Sequence, residues 1–207
     1  QLTNGKWEVR NLYGIDPSGQ YAYFSANKDG QINENVYRVR LSGGEVERIT
    51  RGDGWHSVAF NKDFTHFTEN FSEILTPVQT RLFRSDGTLV RVINENPATN
   101  LARFKISKPE FLKVNTRDGF EMEAMMIKPP DFDPAMKYPV FQFTYAGPHA
   151  PSVANRWGGN RGMWFHMLAQ KGYIVWVCDN RTASGKGQES VWPGYKRFLE
   201  LELRDIE

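Results

Sequence analysis

The chain has 207 residues, of which 40% are hydrophobic and 24% are charged, and its formal net charge is +2. This composition is typical of a globular protein with a sizeable core, and it excludes the disordered, fibrous and membrane-embedded classes. The 26 basic and 24 acidic residues are scattered without a dense basic block, so nucleic acid is not predicted as a partner.

Apolar segments, the start of the sequence and the single cysteine lead to further expectations. No segment reaches the roughly 18 consecutive apolar residues of a membrane-spanning helix, so no membrane span is predicted. The sequence begins without a methionine or a signal peptide, and we interpret it as starting partway through a longer protein. Cys178 lies in the apolar run YIVWVC and is interpreted as a small buried hydrophobic residue. One cysteine forms no disulfide framework, so the compartment stays undetermined by this count.

An internal repeat occupies the first half of the chain. An offset of 43 residues, from Tyr21 to Phe64, aligns two stretches of similar pattern and pairs Phe24 with Phe67. Each stretch contains two alternating strands, a glycine turn and a short third strand, and the segments VRNLYGI and WHSVAF supply a strand before each. Four strands in about 43 residues is the length of one β-propeller blade. The pattern predicts two successive blades with Phe24 and Phe67 at equivalent inward positions, and a pair of generic antiparallel meanders is the alternative.

The strand pattern stops in a segment rich in Asn, Pro and Lys between about residues 95 and 110, a composition typical of linkers. We therefore predict a domain boundary, with residues 1–100 forming the C-terminal blades of a β-propeller and residues 101–207 forming a second domain. Two blades cannot close a ring, so this interpretation requires further blades before the first residue.

The second domain alternates strands and helices. A hairpin over residues 111–116 and 120–128 is predicted around Asp118-Gly119, because this pair supplies the positive φ of a tight turn. The run YPVFQFTY is apolar at nearly every position, which is typical of a strand covered on both faces. A helix with Met163 and Met167 on one face ends at Gly172, the strand YIVWVC follows, and YKRFLELELRDIE begins a second helix. The order strand, helix, strand, helix predicts a parallel sheet.

Three segments of the second domain are distinctive: DGxxxxAxxIKPxxFDPxxKYPV, the strand ending in TYAGPH, and DNRTASGKG after the next strand. Together with the blade-like repeat, they resemble the prolyl oligopeptidase family of serine peptidases, most closely its dipeptidyl peptidase IV branch and especially the bacterial members. The resemblance implies the last blades of a β-propeller followed by the N-terminal part of an α/β-hydrolase domain, with an incomplete doubly wound sheet. It also implies a serine exopeptidase that releases N-terminal X-Pro or X-Ala dipeptides from a peptide substrate.

Tyr145, within TYAGPH, is the candidate catalytic residue. The resemblance implies that its hydroxyl stabilises the oxyanion of the tetrahedral intermediate. A donor fixed at the carboxyl end of a strand suits this role, because it needs no reorganisation during the reaction. Gly147 and Pro148 would turn the chain away and leave the phenol exposed. The alternative is an ordinary turn residue that serves only packing.

Other polar residues are weaker candidates for substrate binding. Arg181 and His149 lie near the same strand ends, but a loop histidine is the simpler interpretation of His149. Asp179, Asn180 and Arg181 close their strand together, and such clusters commonly brace neighbouring loops. The four histidines lack metal-ligand spacing, so neither a metal nor another cofactor is predicted.

The nucleophile is missing from the sequence. An α/β-hydrolase carries it in G-x-S-x-G, and none of the ten serines stands in that motif. We interpret the chain as an internal fragment of a dipeptidyl-peptidase-IV-like enzyme, inactive by itself, with the triad nucleophile beyond Glu207 and the amine-binding glutamates in earlier blades. The resemblance further implies a periplasmic or secreted parent and allows a homodimer. The alternatives are an acylaminoacyl peptidase or oligopeptidase of the same family, or a non-catalytic propeller interaction module.

Overall fold

The computed structural model describes residues 1–207, and their strands form three four-stranded sheets. Two of these sheets are fully antiparallel, and strands that follow one another in sequence are neighbours in each sheet. The first contains β1 (Val9–Ile15), β2 (Tyr21–Ala26), β3 (Asn35–Arg40) and β4 (Glu47–Arg48). The second contains β5 (Trp55–Phe60), β6 (His66–Ser72), β7 (Gln79–Arg84) and β8 (Leu89–Asn94). Two such sheets in succession fit neighbouring blades of a β-propeller.

The predicted repeat is present as a repeat of topology, but its register differs from the sequence alignment. Asp16 and Asn61 close the first hairpin of each sheet in the same way, since each side-chain oxygen accepts the amide N–H groups four and five residues later. These two residues are 45 positions apart, two more than the aligned pair Tyr21 and Phe64. Phe64 therefore corresponds to Gly19, and both have left-handed φ values, 49° and 69°.

The strand ladders confirm the shift. Ile15 pairs with Ala22 in the first sheet, and Phe60 pairs with Phe67 in the second. Phe67 is therefore the equivalent of Ala22, and its predicted equivalence with Phe24 is wrong by two residues. The error has a physical origin, because side chains in a strand alternate with a period of two and a two-residue slip keeps the same face inward.

A hydrophobic cluster joins the two blade-like sheets. Its buried members come from both sheets or from the segments beside them: Tyr23, Val36, Ile49, Val58 and Phe67. Aromatic rings extend it, and Tyr23 lies against Phe60 with 4.9 Å between ring centroids. Contacts of this kind stabilise aromatic pairs beyond the area that they bury.

The third sheet belongs to the second half of the chain. Its strands are β9 (Glu110–Asn115), β10 (Glu121–Ile127), β11 (Val140–Phe143) and β12 (Ile174–Cys178). The helices of this half are α1 (Gly159–Gln170), α2 (Gln188–Val191) and α3 (Glu200–Ile206), and short 3-10 turns cover Thr99–Arg103, Arg181–Ala183 and Trp192–Gly194. None of the helices combines the length and the apolarity that crossing a membrane requires.

The order of the third sheet is β11-β12-β10-β9, with β11 and β12 parallel and the other pairs antiparallel. The predicted hairpin is confirmed as β9 and β10, with Gly119 at φ +85° in its turn. The predicted parallel sheet is correct only for β11 and β12, so the sheet is mixed.

The run YPVFQFTY was expected to form a strand buried on both faces, and within these 207 residues β11 is only partly buried. β11 has four residues and lies at the edge of the sheet, where Val140 is 60% exposed. Its end at Phe143 leaves Tyr145 outside the strand.

Helix α1 ends where the sequence predicts, since Gly172 has φ +88° just after it. One face of the helix is buried. Phe165, His166 and Ala169 are buried, whereas Met167 is 41% exposed. Helical spacing identifies residues that share a face, but it does not say which face packs against β12.

The chain divides into two compact units. The first contains residues 1–97 together with 154–157, and the second contains residues 98–153 and 158–207. The short segment 154–157 is far in sequence from the rest of the first unit.

Candidate functional site

Tyr145 follows the carboxyl end of β11, which is parallel to β12. The carboxyl ends of parallel neighbours lie at the same edge of a sheet, where ligands bind in open α/β sheets. Its side chain is 68% exposed, so the phenol is open to solvent rather than packed in a core.

The bend after Tyr145 depends on two small residues. Ala146 has φ 59°, a left-handed conformation that is unfavourable for residues other than glycine. Gly147 lies directly against the tyrosine ring, since a Cβ atom at this position would be 2.5 Å from Cε1 of Tyr145. The position of the phenol therefore requires a residue without a side chain at 147.

The loop from residue 144 to 153 is anchored to the segment that follows β12. The amide N–H of His149 donates to the carbonyl of Thr182 at 3.0 Å. The carboxylate of Asp179 accepts the amide N–H groups of Ser152 and Val153, each at 2.8 Å. Asp179 therefore braces a neighbouring loop, as the sequence predicts.

Thr182 connects this loop to helix α3. Its hydroxyl oxygen accepts a hydrogen bond from Nδ2 of Asn180 at 2.7 Å. It lies 3.1 Å from Oε1 of Glu202 and 3.4 Å from the carbonyl oxygen of Ala146. Three segments distant in sequence thus meet at one buried hydroxyl.

Arg181, a weak candidate for substrate binding, is engaged with carboxylates of its own unit. Its guanidinium lies 2.7 Å from Asp205 and 2.7 Å from Asp118. The hydrogen bond from Arg181 holds the pKa of Asp118 well below its usual range, and the hydrogen bond to Asp205 raises the pKa of Arg181. These contacts connect the end of β12 to the β9–β10 turn and to α3, which is the bracing role that the sequence allows for Arg181.

His149 is exposed in the structure, whereas Cys178 is buried. The ring of His149 is exposed, and its backbone at φ 54° contributes to the loop through the bond to Thr182. The predicted burial of Cys178 is confirmed, and this burial raises the pKa of its thiol to about 11. The thiol is therefore protonated at neutral pH.

No cluster of His, Cys, Asp or Glu in the chain is arranged to hold a metal ion.

The sequence interpretation missed Thr182 and Glu202. Neither residue belongs to a motif, and they are 20 positions apart. A threonine after a strand and a glutamate in an amphipathic helix carry no local signal of their contact. Only the packing of α3 brings the two side chains together.

The likeness to known proteins extends over almost the whole chain. Residues 1–78 match the family described as the dipeptidyl peptidase IV (DPP IV) N-terminal region. Dipeptidyl peptidase 8 of Homo sapiens is 28% identical over 99% of this chain, and a probable dipeptidyl-aminopeptidase B of Emericella nidulans is 30% identical over 87% of it. The crystal structure of Porphyromonas gingivalis dipeptidyl peptidase 4 superposes with a TM-score of 0.89 at 29% identity and covers 97% of this chain. The chain is dipeptidyl peptidase IV-like.

The chain covers only part of the length of each relative. The dipeptidyl peptidase IV-like chain covers 24% of the human protein, 20% of the fungal one and 28% of the bacterial structure. It therefore spans about a quarter of the length of the proteins that it matches.

Proposed function

We propose that this chain is part of a serine exopeptidase that releases N-terminal X-Pro or X-Ala dipeptides by acyl transfer. Residues 1–100 would be the C-terminal blades of its propeller, and residues 101–207 the N-terminal portion of its α/β-hydrolase domain. The nucleophilic serine would lie in a part of the parent protein outside these residues. The similarity to proteins named dipeptidyl peptidases supports this proposal.

The observation that carries the proposal is the position of Tyr145. Its phenol is exposed at the carboxyl edge of the β11–β12 pair, on a bend anchored through His149. In acyl transfer, negative charge develops on the carbonyl oxygen of the substrate as the serine attacks it. A phenol held in place before the reaction donates to this oxygen without reorganisation, and a backbone N–H would be the second donor.

The test is Tyr145→Phe in the full-length parent enzyme. This change removes one hydroxyl and little volume, so kcat should fall by roughly 10²-fold to 10³-fold, in line with other oxyanion-hole deletions. KM should change much less, because the lost hydrogen bond belongs to the transition state. Steady-state kinetics with Ala-Pro and Gly-Pro chromogenic substrates measure both constants.

Tyr173→Phe is the matched control. Tyr173 is 38% exposed and precedes β12, so it lies at the amino end of the strand, opposite the proposed site. This variant should keep the kinetics of the wild type. A Tyr145→Phe enzyme with unchanged kcat would contradict the oxyanion role.

Substrates with a free or a blocked amino terminus distinguish the proposed activity from its alternatives. A dipeptidyl peptidase needs a free amino terminus, whereas an acylaminoacyl peptidase accepts a blocked one. Cleavage of Ala-Pro substrates only when the amine is free supports the proposal. Cleavage of acetylated substrates, or no hydrolysis at all, would favour another family member or a non-catalytic module.

A further inference from the structure

We propose that Thr182 is the positioning residue of the Tyr145 loop, defined as residues 144–149. Its carbonyl would hold the bend that presents the phenol, and its hydroxyl would hold Thr182 itself against α3. The catalytic consequence of this inference rests on the proposed function of Tyr145, whereas the anchoring of the loop does not.

Thr182 contacts the loop on both sides of the Gly147-Pro148 bend. Before the bend, its Oγ1 lies 3.4 Å from the carbonyl oxygen of Ala146. After the bend, its own carbonyl accepts the amide N–H of His149 at 3.0 Å. A single residue therefore contacts both ends of the turn that follows Tyr145 and holds the second end by a hydrogen bond.

The hydroxyl of Thr182 has a defined orientation. It has one proton to donate and accepts one hydrogen bond, which comes from Asn180. Oε1 of Glu202, at 3.1 Å, is closer than the carbonyl of Ala146, and Glu202 is a buried carboxylate whose Oε2 has no hydrogen-bond partner. The proton therefore goes to Glu202, which leaves the Ala146 carbonyl as the weaker partner and fixes Thr182 against α3.

The side chain of Thr182 is fully buried and lies close to Gly194. The residue is 0% exposed, and its Cγ2 methyl lies 2.8 Å from the position that a Cβ atom on Gly194 would take. The hydroxyl and the methyl group thus have separate partners. Valine keeps the shape of the residue and removes the hydroxyl, whereas serine keeps the hydroxyl and removes the methyl group.

Kinetics of the full-length enzyme separate these two contributions. Thr182→Val should lower kcat by roughly 10-fold to 100-fold with a smaller change in KM, because misplacing a catalytic group by about 1 Å has effects of this size. Thr182→Ser should retain kcat within a few-fold of the wild type. Thr116→Val, which removes a hydroxyl in the β9–β10 turn, is the control and should lower stability without changing kcat.

Amide hydrogen exchange tests the anchoring without reference to catalysis. In the wild-type full-length enzyme, the His149 amide should be protected, and Thr182→Val should increase its exchange rate at least tenfold while Thr116→Val should not. The wild-type measurement keeps the inference testable if Thr182→Val fails to fold. An unprotected His149 amide in the wild type would overturn the inference.

A double variant separates this inference from the proposed function. If Thr182 acts through the phenol, Thr182→Val should cause little further loss of kcat in an enzyme that already carries Tyr145→Phe. If Tyr145→Phe is fully active while Thr182→Val still exposes the His149 amide, the proposed function is wrong and the anchoring stands. If Tyr145→Phe is impaired while Thr182→Val keeps both kcat and the protection of His149, the inference about Thr182 is wrong.

Discussion

Gly147 shows that a glycine can be required by a contact rather than by its backbone angles. Gly119 and Gly172 have the positive φ values that their turns demand. Gly147 is not among the positive-φ residues, and its constraint is the ring of Tyr145, 2.5 Å from where a Cβ would be. The smallest possible side chain would therefore displace the phenol.

The first prediction concerns Gly147→Ala in the full-length enzyme. The displaced ring is exposed and can move into solvent, so the melting temperature should change little. The kcat should fall to a level comparable with that of Tyr145→Phe, because the phenol no longer has its fixed position. Steady-state kinetics and a thermal scan on the same sample check both expectations.

Gly162→Ala is the matched control for this variant. Gly162 lies inside α1, and a Cβ added there would have no atom within 4 Å. Alanine is favoured over glycine in a helix by about 1 kcal/mol, so this variant should be more stable and equally active. A Gly147→Ala enzyme with the kcat of the wild type would show that the phenol does not depend on this contact.

Helix α1 buries a titratable side chain on the face that packs against the sheet. His166 is buried, and its Nδ1 atom has no hydrogen-bond partner. Burial lowers the pKa of His166 because the charged form loses its hydration. The folded protein therefore prefers the neutral imidazole.

The pH dependence of stability follows from this shift. A histidine whose pKa is lower in the folded state contributes no penalty above its unfolded pKa of about 6.5. Below that value the unfolded chain binds the proton first, so the free energy of unfolding should decrease as the pH falls towards the folded pKa. His166→Leu should flatten this part of the profile. Urea unfolding between pH 8 and pH 5 measures the slope, and an identical slope in both proteins would exclude His166 as its source.

The third sheet shows that the position of a strand in a sheet depends on other segments of the chain. β11 and β12 are both apolar runs in the sequence, yet β12 is a central strand and β11 is an edge strand. Strand order arises from the pairing of segments that are distant in the sequence, so it is not a local property.

At the scale of the whole molecule, Asn155 links distant parts of the first unit. Its amide N–H donates to the carbonyl of Ile32 at 2.7 Å, and its Oδ1 accepts the amide N–H of Ile74 at 3.1 Å. Ile32 precedes β3 in one blade-like sheet, and Ile74 follows β6 in the other. Residues 154–157 thus supply hydrogen bonds to both sheets of this unit.

We expect Asn155→Ala to destabilise the first unit. The change leaves the amide of Ile74 without its acceptor, and an unpaired, partly buried group costs about 1–3 kcal/mol. Denaturant unfolding of the 207-residue chain measures the loss, and hydrogen exchange should show faster exchange at Ile74. Asn160→Ala, at an exposed position at the start of α1, is the control and should have little effect. Equal stability of the two variants would contradict the linking role of Asn155.

The sequence by itself determined the local elements of this protein. The hairpin at Gly119, the end of α1 at Gly172 and the blade-like repeat were predictable, because turn residues and side-chain periodicity act over a few neighbouring positions. The register of the repeat was not predictable, since a slip of two residues preserves the alternation that identifies a strand.

Tertiary structure alone decided how the site is held together. The contacts of Thr182 with Ala146, His149 and Glu202 span 20 residues or more. The TYAGPH motif marks Tyr145 as a candidate, but no local pattern records which buried side chain will lie beneath its loop. That partnership arises only when β12, α3 and the loop after β11 pack against one another, because packing, unlike turn formation, depends on residues distant in the sequence.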